Sequence, residues 1–485
     1  MHKKYSRKDF IKLGTLAGTG LLLAACGAND NEEQKKTIIT KSDSATIKSE
    51  NIYKVRLIKK DDSQYEELRK GYNKCINKFP LVIALCTTTA DVVEAMNYAN
   101  ENNLAIAVKS GGHSLEGFSS NDSGMVINLS KMNTVEFLAE NRIKIGPGCT
   151  VSELYNIILP KKRIIPIGSC GTVGLGGLTL GGGYGLFSRK YGLTCDNLLE
   201  ATMVDGNGKI HSTKDDPELL WALRGGGSGN FGVVTELIYK SYTAPAIIQA
   251  HHFKAKKLNA ERAKNILEKW FEFAAQLPNS CFSAYVLNGN NLTILVTNFE
   301  KHTEKLQTLL DTLALETDEY KTGGPGKIAY MLKNYYGSLV PIYFKNSSAG
   351  LYKNFDEISE FISDILHKSI HTPGMMFQMN TLGGNIANPE FEKVSCYPHR
   401  AYNFIAELQA YWYTAGKDEK LKKVSKEILD ILSDNKITAQ YINYCSLDFE
   451  DWETAYYGNN YKRLQAVKRE YDSNNIIHHP QSIKA

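Results

Sequence analysis

No Cys-x-x-Cys pair occurs in these 485 residues, and nine cysteines are too few for a disulfide framework. The pairs His251-His252 and His478-His479 have no partners at zinc spacing, so no metal site is expected. A Walker-type phosphate loop is also missing. Gly208-Lys209, Gly326-Lys327 and Gly416-Lys417 run into Ile210, Ile328 and Asp418 where Ser or Thr is required. One Gly-x-Gly-x-x-Gly is present, Gly227 to Gly232, but it leads into Val233-Val234-Thr235-Glu236-Leu237-Ile238-Tyr239. That stretch alternates like a strand, whereas a dinucleotide fingerprint must open a helix. Charge of one sign is scarce as well: 57 basic residues stand against 52 acidic ones, a net +5. Without a basic block, nucleic acid is not expected as a partner. The apolar run Leu13 to Ala25 is too short to span a membrane.

Glycine is abundant. Lys109-Ser110-Gly111-Gly112-His113-Ser114 holds the first dense turn. Cys170-Gly171-Thr172-Val173-Gly174-Leu175-Gly176-Gly177 holds the second, and Gly181-Gly182-Gly183-Tyr184-Gly185 follows it. Glycine costs conformational entropy, so turns this rich in it imply backbone pressed close to a partner. A flat or anionic ligand against main-chain N–H groups is the expected occupant. A histidine ends the first turn and a cysteine opens the second.

In order, the chain divides into five parts. Residues 1–25, with Lys3, Lys4, Arg7, Lys8 and Lys12 ahead of an apolar run, read as an export signal. Leu23-Ala24-Ala25-Cys26 resembles a bacterial lipobox, which makes Cys26 the lipidated residue of a protein held on the outer face of the cell membrane. Ser6-Arg7-Lys8-Asp9-Phe10 is similar to a twin-arginine signal with Lys8 in place of the second arginine, so the export route stays open. Residues 26–50 are a polar tether. Residues 51–245 alternate strand and helix. Expected strands are Pro80–Leu85, Leu104–Val108, Met125–Leu129, Val135–Leu138 and Arg142–Ile145. Expected helices are one capped by Thr89 with Val92, Val93, Met96 and Ala99 on its apolar face, Thr150 to Leu159 ended by Pro160, and one opened by Asp216-Pro217. Residues 246–435 carry amphipathic helices at Ala263–Leu277, Lys301–Leu315, Asp356–Lys368 and Glu419–Leu432. Between them lie strands at Phe282–Leu287, Leu292–Thr297, Met375–Thr381 and Tyr402–Tyr413, implying an antiparallel sheet with helices on one face. Residues 436–485 form a tyrosine-rich tail. Cys75 and Cys86 are close enough in sequence for a disulfide in an exported protein, and equally readable as free or buried thiols.

Taken together, the two anchoring turns, Trp221 to Gly232, Tyr441-Ile442-Asn443-Tyr444, Tyr456 to Leu464 and Tyr471-Asp472 resemble the berberine bridge enzyme-like FAD-linked oxidases. The resemblance runs in order from about Pro80 to Ile483. It implies an α+β fold with a two-part FAD domain of the PCMH type, a substrate domain, and a C-terminal segment that returns to the FAD domain. It also implies FAD attached twice, at His113 and Cys170. Ser110, Gly111, Gly112, Ser114, Val173, Gly174, Gly177, Gly182, Gly183, Gly232, Val234, Asn443 and Asn460 would line the cofactor. The family's Tyr397-Pro398-His399-Arg400 motif is present too, with His399 read as structural.

The implied chemistry is oxidation of an alcohol by hydride transfer to the flavin, which needs a base for the hydroxyl proton. The resemblance places that base at Tyr441, with Tyr184 supporting the downward shift that a tyrosine of pKa about 10 requires. Gln378 and Asn380 alternate with Phe377 and Met379, and read either as substrate contacts or as a polar outer edge. Val173, three residues after the anchoring cysteine, inclines the chain toward reaction with O2 and release of hydrogen peroxide. The substrate expected is a small molecule, a sugar or oligosaccharide. An aromatic or alkaloid-like metabolite is the second alternative, and a solute-binding lipoprotein without redox chemistry the third.

Overall fold

The structure, a computed structural model, describes residues 53–414, 416 and 418–485. The export signal, Cys26 and the tether lie outside the described residues.

A four-stranded and a five-stranded sheet build the N-terminal half, with the short pair Arg163–Ile164 and Tyr242–Thr243 beside them. In the first, Val82–Leu85, Met125–Asn128 and Ile106–Lys109 run parallel, with Arg56–Ile58 antiparallel on the edge. Every residue of Val82–Leu85 and Met125–Asn128 is buried, as a parallel sheet covered on both faces requires. Helix Thr89–Glu101 is capped by Thr88, one residue before the expected Thr89. Thr88 is extended and its hydroxyl accepts the Asp91 N–H, while the Asp91 carboxylate accepts the Thr88 N–H. Its buried face is Val92, Ala95, Met96 and Ala99, with Val93 only half-buried.

The second sheet is antiparallel, in the order Val135–Phe137, Arg142–Ile145, Gly232–Lys240, Leu198–Asp205, Ile210–Ser212. The Gly227–Gly232 segment does enter a strand. Helix Val151–Ile158 is capped by Thr150 and gives way to a tighter turn, Leu159–Lys161, at Pro160. Asp216 caps Pro217–Leu223 by accepting the Leu219 N–H.

The third sheet has eight strands, ordered Glu319–Thr322, Ile247–Ala255, Asn291–Asn298, Cys281–Asn288, Met375–Thr381, Phe404–Trp412, Tyr343–Tyr352, with Gly326–Lys327 beside Ile247–Ala255. Helices Ala260–Ala275, Ile362–Ile370 and Glu419–Asp434 pack with Glu304–Ala314 against one face. Strand alternation then decides which side chains face where. Met375, Phe377 and Met379, with Ala406, Leu408 and Ala410, enter the core under the helices. Met376, Gln378, Asn380, Glu407, Gln409 and Tyr411 point to the other face, where they line a cavity. The helix expected from Asp356 starts only at Ile362. The chain before it closes in short turns, Ile358 N–H to Phe355 O and Phe361 N–H to Ile358 O. Ile247–Ala255 and Tyr343–Tyr352 are strands that periodicity does not reveal. The second contains Lys345-Asn346-Ser347-Ser348 and an irregular register between Ser348 and Leu351.

The tail returns to the first half of the chain. Ile106 N–H donates to Ile476 O, and the buried Lys468 ammonium donates to Asn230 O, Ile477 O and Asp472. His399 is buried and bonds the backbone of this tail at Gln440 and Ala455, which fits the structural role expected. Cys75 is exposed and Cys86 buried, both as free thiols.

Candidate active site

Strand Ile106–Lys109 ends at the first glycine turn, at the carboxyl edge of the parallel sheet where ligands of open sheets gather. Gly112 has φ +69°, and its carbonyl accepts the Tyr72 N–H at 2.9 Å. Burial lowers the Lys109 ammonium to about 8, and it donates to Leu68 O and Lys70 O, tying Tyr72's segment to the turn. The second turn docks directly on the first. A side chain at Gly111 would lie 2.4 Å from Gly174 N and 2.9 Å from Thr172 O. Gly177, by contrast, has nothing within 4 Å on its open side and lines the cavity.

The two expected anchors meet through this docking. His113 Nε2 lies 2.8 Å from Thr172 Oγ1, two residues beyond Cys170. The Tyr72 ring stacks on His113 at 4.0 Å between centroids. Burial lowers the His113 imidazole to about 4, so it is neutral at physiological pH. Burial raises the Cys170 thiol, against hydrogen bonds from Thr172 and Val173 that favour the thiolate. Both side chains line one cavity of about 470 Å³. Ser110, Gly111, Gly112, Ser114, Val173, Gly174, Gly232, Val234 and Asn443 line it as well.

Three expected cofactor contacts do not line it. Asn460 donates to Cys396 O at 3.0 Å, and so joins the tail to the loop before Tyr397. Gly182 packs on Tyr397 and Tyr441, and Gly183 donates its N–H to the Tyr441 oxygen at 2.8 Å. These glycines position the tyrosine, because their φ values of +116° and +79° turn the backbone toward it.

The Tyr441 oxygen also accepts from Asn443 Nδ2 at 2.9 Å. Two N–H groups thus converge on this oxygen, and both favour its ionised form. Burial outweighs them and raises the phenol above its ordinary value, opposite to the expected shift. Nor does the Tyr184 hydroxyl support Tyr441. The rings meet edge to face at 5.7 Å, and the Tyr184 hydroxyl instead bonds that of Tyr444 at 2.6 Å. It also accepts from Asn380 Nδ2 at 3.0 Å, and Gln378 Nε2 in turn donates to Asn380 Oδ1 at 2.9 Å. Gln378 and Asn380 therefore face the cavity, already bonded to each other and to a tyrosine.

Glu407 escapes the sequence analysis. It is buried opposite Gln378 in the strand register and accepts from Gln409 at 2.8 Å and from Asn346 at 3.3 Å. Burial pushes its carboxyl up to about 7. The available signal was Glu407, Gln409 and Tyr411 alternating with apolar residues in a strand otherwise fit for a core. Nearby in the same strand as Asn346, Lys345 pairs with Glu116 and, at 3.0 Å, with Asp448, joining residues 51–245, 246–435 and 436–485.

Comparison with known proteins agrees with this architecture. The FAD binding domain family matches residues 80–214, and the berberine and berberine-like family matches residues 440–484. An uncharacterized FAD-linked oxidoreductase of Bacillus subtilis, YvdP, is 30% identical over 444 residues, covering 88% of this chain and 97% of the relative. Chitooligosaccharide oxidase of Gibberella zeae is 29% identical over 457 residues, covering 87% of this chain and 90% of the relative. A solved chitooligosaccharide oxidase superposes with a TM-score of 0.81 at 26% identity, covering 89% of this chain and 97% of that one.

Proposed function

The chain belongs to the berberine bridge enzyme-like FAD-linked oxidoreductases, and from that premise we propose that it oxidises an alcohol carbon of a sugar or oligosaccharide. FAD fits the cavity's residues: glycine turns too close for side chains, and two nucleophiles, an imidazole and a thiol, on one wall. His113 and Cys170 would hold it covalently. When bound, FAD supplies a ring that accepts a hydride, and O2 restores it with release of hydrogen peroxide. Val173, on the cavity wall, supports access of O2.

The protein's own part is to orient the alcohol and take its proton. Tyr441 is the base. The observation that carries this reading is the convergence of the Gly183 and Asn443 N–H groups on its oxygen, which stabilises the negative charge that proton transfer creates. Tyr184 and Tyr444 line the opposite wall together with Glu407, whose pKa of about 7 lets it adjust the charge of the site near neutral pH. The polar row of Gln378, Asn380, Asn346 and Gln409 supports a hydroxyl-rich substrate. Tyr72, Tyr343, Trp412 and Tyr413 supply the flat apolar surface on which sugar rings stack. The similarity to chitooligosaccharide oxidase favours the same class.

A peroxide-release screen over mono- and oligosaccharides, hydroxy acids and phenolic alcohols tests the substrate. Activity confined to the phenolic alcohols overturns the sugar assignment. Reduction by substrate without air, followed by air, tests the oxidase assignment, and flavin that stays reduced contradicts it. The export signal and Cys26 support a protein tethered to the outer face of the membrane. Cys26→Ala should move it from the membrane fraction to the soluble one, and an unchanged distribution contradicts the anchor.

A further inference from the structure

Thr172 joins the turn that carries Cys170 to the other anchoring side chain. Its hydroxyl, two residues beyond Cys170, lies 2.8 Å from His113 Nε2. A threonine hydroxyl has one hydrogen to donate and lone pairs with which to accept. The neutral imidazole of His113 has one N–H and one lone pair. With Nε2 engaged by Thr172, Nδ1 is the nitrogen left for a partner in the cavity. It can act as a nucleophile when the ring hydrogen sits on Nε2, where the Thr172 oxygen accepts it. Tyr72 fixes the plane of the ring by stacking at 4.0 Å and 19°, and is itself held by its N–H to Gly112 O and its hydroxyl to Ser338 O.

We propose that Thr172 is the positioning residue for flavin attachment at His113: by engaging Nε2 it selects the tautomer that bonds through Nδ1. This rests on the reading above that FAD is held by both side chains. At His113 a carbon–nitrogen bond forms as the flavin methyl loses a C–H proton and the imidazole its Nε2 proton. At Cys170 a carbon–sulfur bond forms as the ring C6–H and the thiol lose theirs. Each bond leaves two electrons on the ring, and dioxygen takes them with the two protons as hydrogen peroxide. The attached chain is therefore lighter by two hydrogens per bond than the sum of protein and FAD.

The test compares wild type, Thr172→Val and Thr172→Ser as purified holoproteins. Each is acid-precipitated, the flavin left in the pellet is measured, and the His113 and Cys170 peptides are mapped by mass. Wild type and Thr172→Ser should retain flavin at both peptides. Thr172→Val, which keeps shape and loses the hydroxyl, should hold flavin before precipitation and show at least tenfold less attached at the His113 peptide afterwards, with any residual histidyl bond divided between the two nitrogens. A Thr172→Val protein attached at both peptides as fully as wild type, through Nδ1 alone, overturns the proposal. Flavin wholly released from wild type overturns the covalent reading instead. Should Thr172→Val bind no flavin at all, Thr172→Ala, which relieves the loop of bulk, is read by the same criterion; full attachment there overturns the proposal and loss of attachment supports it.

Discussion

The Tyr184 and Tyr444 hydroxyls lie 2.6 Å apart in the cavity wall, where burial and then the charge of Glu407 raise both phenols. Asn380 donates to the Tyr184 oxygen. Burial moves Glu407 from its ordinary 4.5 to about 7. Turnover should therefore rise as pH increases through about 7. Glu407→Gln should flatten that limb and lower kcat by about 10–100-fold. Stability should move the other way. The folded chain keeps the Glu407 proton between 4.5 and about 7 while the unfolded chain has lost it, so this group costs stability as pH rises through that window. Glu407→Gln should thus be more stable than wild type above pH 7, by on the order of 2 kcal/mol. Melting curves across pH check the sign.

Tyr441→Phe separates proton transfer from flavin binding. It removes the proposed base and leaves the Gly183 and Asn443 N–H groups short of an acceptor, a cost of about 1–3 kcal/mol. Turnover should fall by about 10²–10⁴-fold with flavin content per chain unchanged. Steady-state rates and visible absorbance report the two effects independently.

Gly111→Ala tests the docking of the two turns. Its methyl would meet Gly174 N at 2.4 Å and Thr172 O at 2.9 Å, both backbone atoms that cannot swing away. The turns must separate, drawing Thr172 from His113. Visible absorbance per chain should fall severalfold or more, while the helix-covered sheet stays folded by circular dichroism.

Lys468→Met probes the return of the tail. Lys468 and Asp472 are fully buried, and Lys468 also satisfies the carbonyls of Asn230 and Ile477. Removing the ammonium strands the carboxylate, a loss of about 3–5 kcal/mol. The variant should melt at lower temperature, which calorimetry measures.

Much of this was legible in the chain. Three-glycine turns, a strand-like exit after Gly232 and proline at 160 and 217 are local signals, and local signals survived. His113 and Cys170 were found because their turns are written in consecutive residues. Glu407 was not, because what makes it unusual is its neighbours: Gln378, Asn346 and Tyr444 come from three other segments and meet only through strand register and the fold-back of the tail. Tyr184 lines the cavity, and its hydroxyl turns to Tyr444 and not to Tyr441 for the same reason, since that direction depends on where Tyr444 lands. Asn460 sits in a motif with aromatic neighbours, yet its amide turns to Cys396 O, a contact that no spacing rule encodes.

The central claim is that one FAD is bonded to this chain at His113 and Cys170. The intact mass of the purified protein, measured after denaturation, tests it most directly. The account predicts the mass of the chain plus one FAD less four hydrogens, two for each bond, with the added mass mapping to the two anchor peptides. A denatured chain at the mass of the polypeptide alone would contradict it.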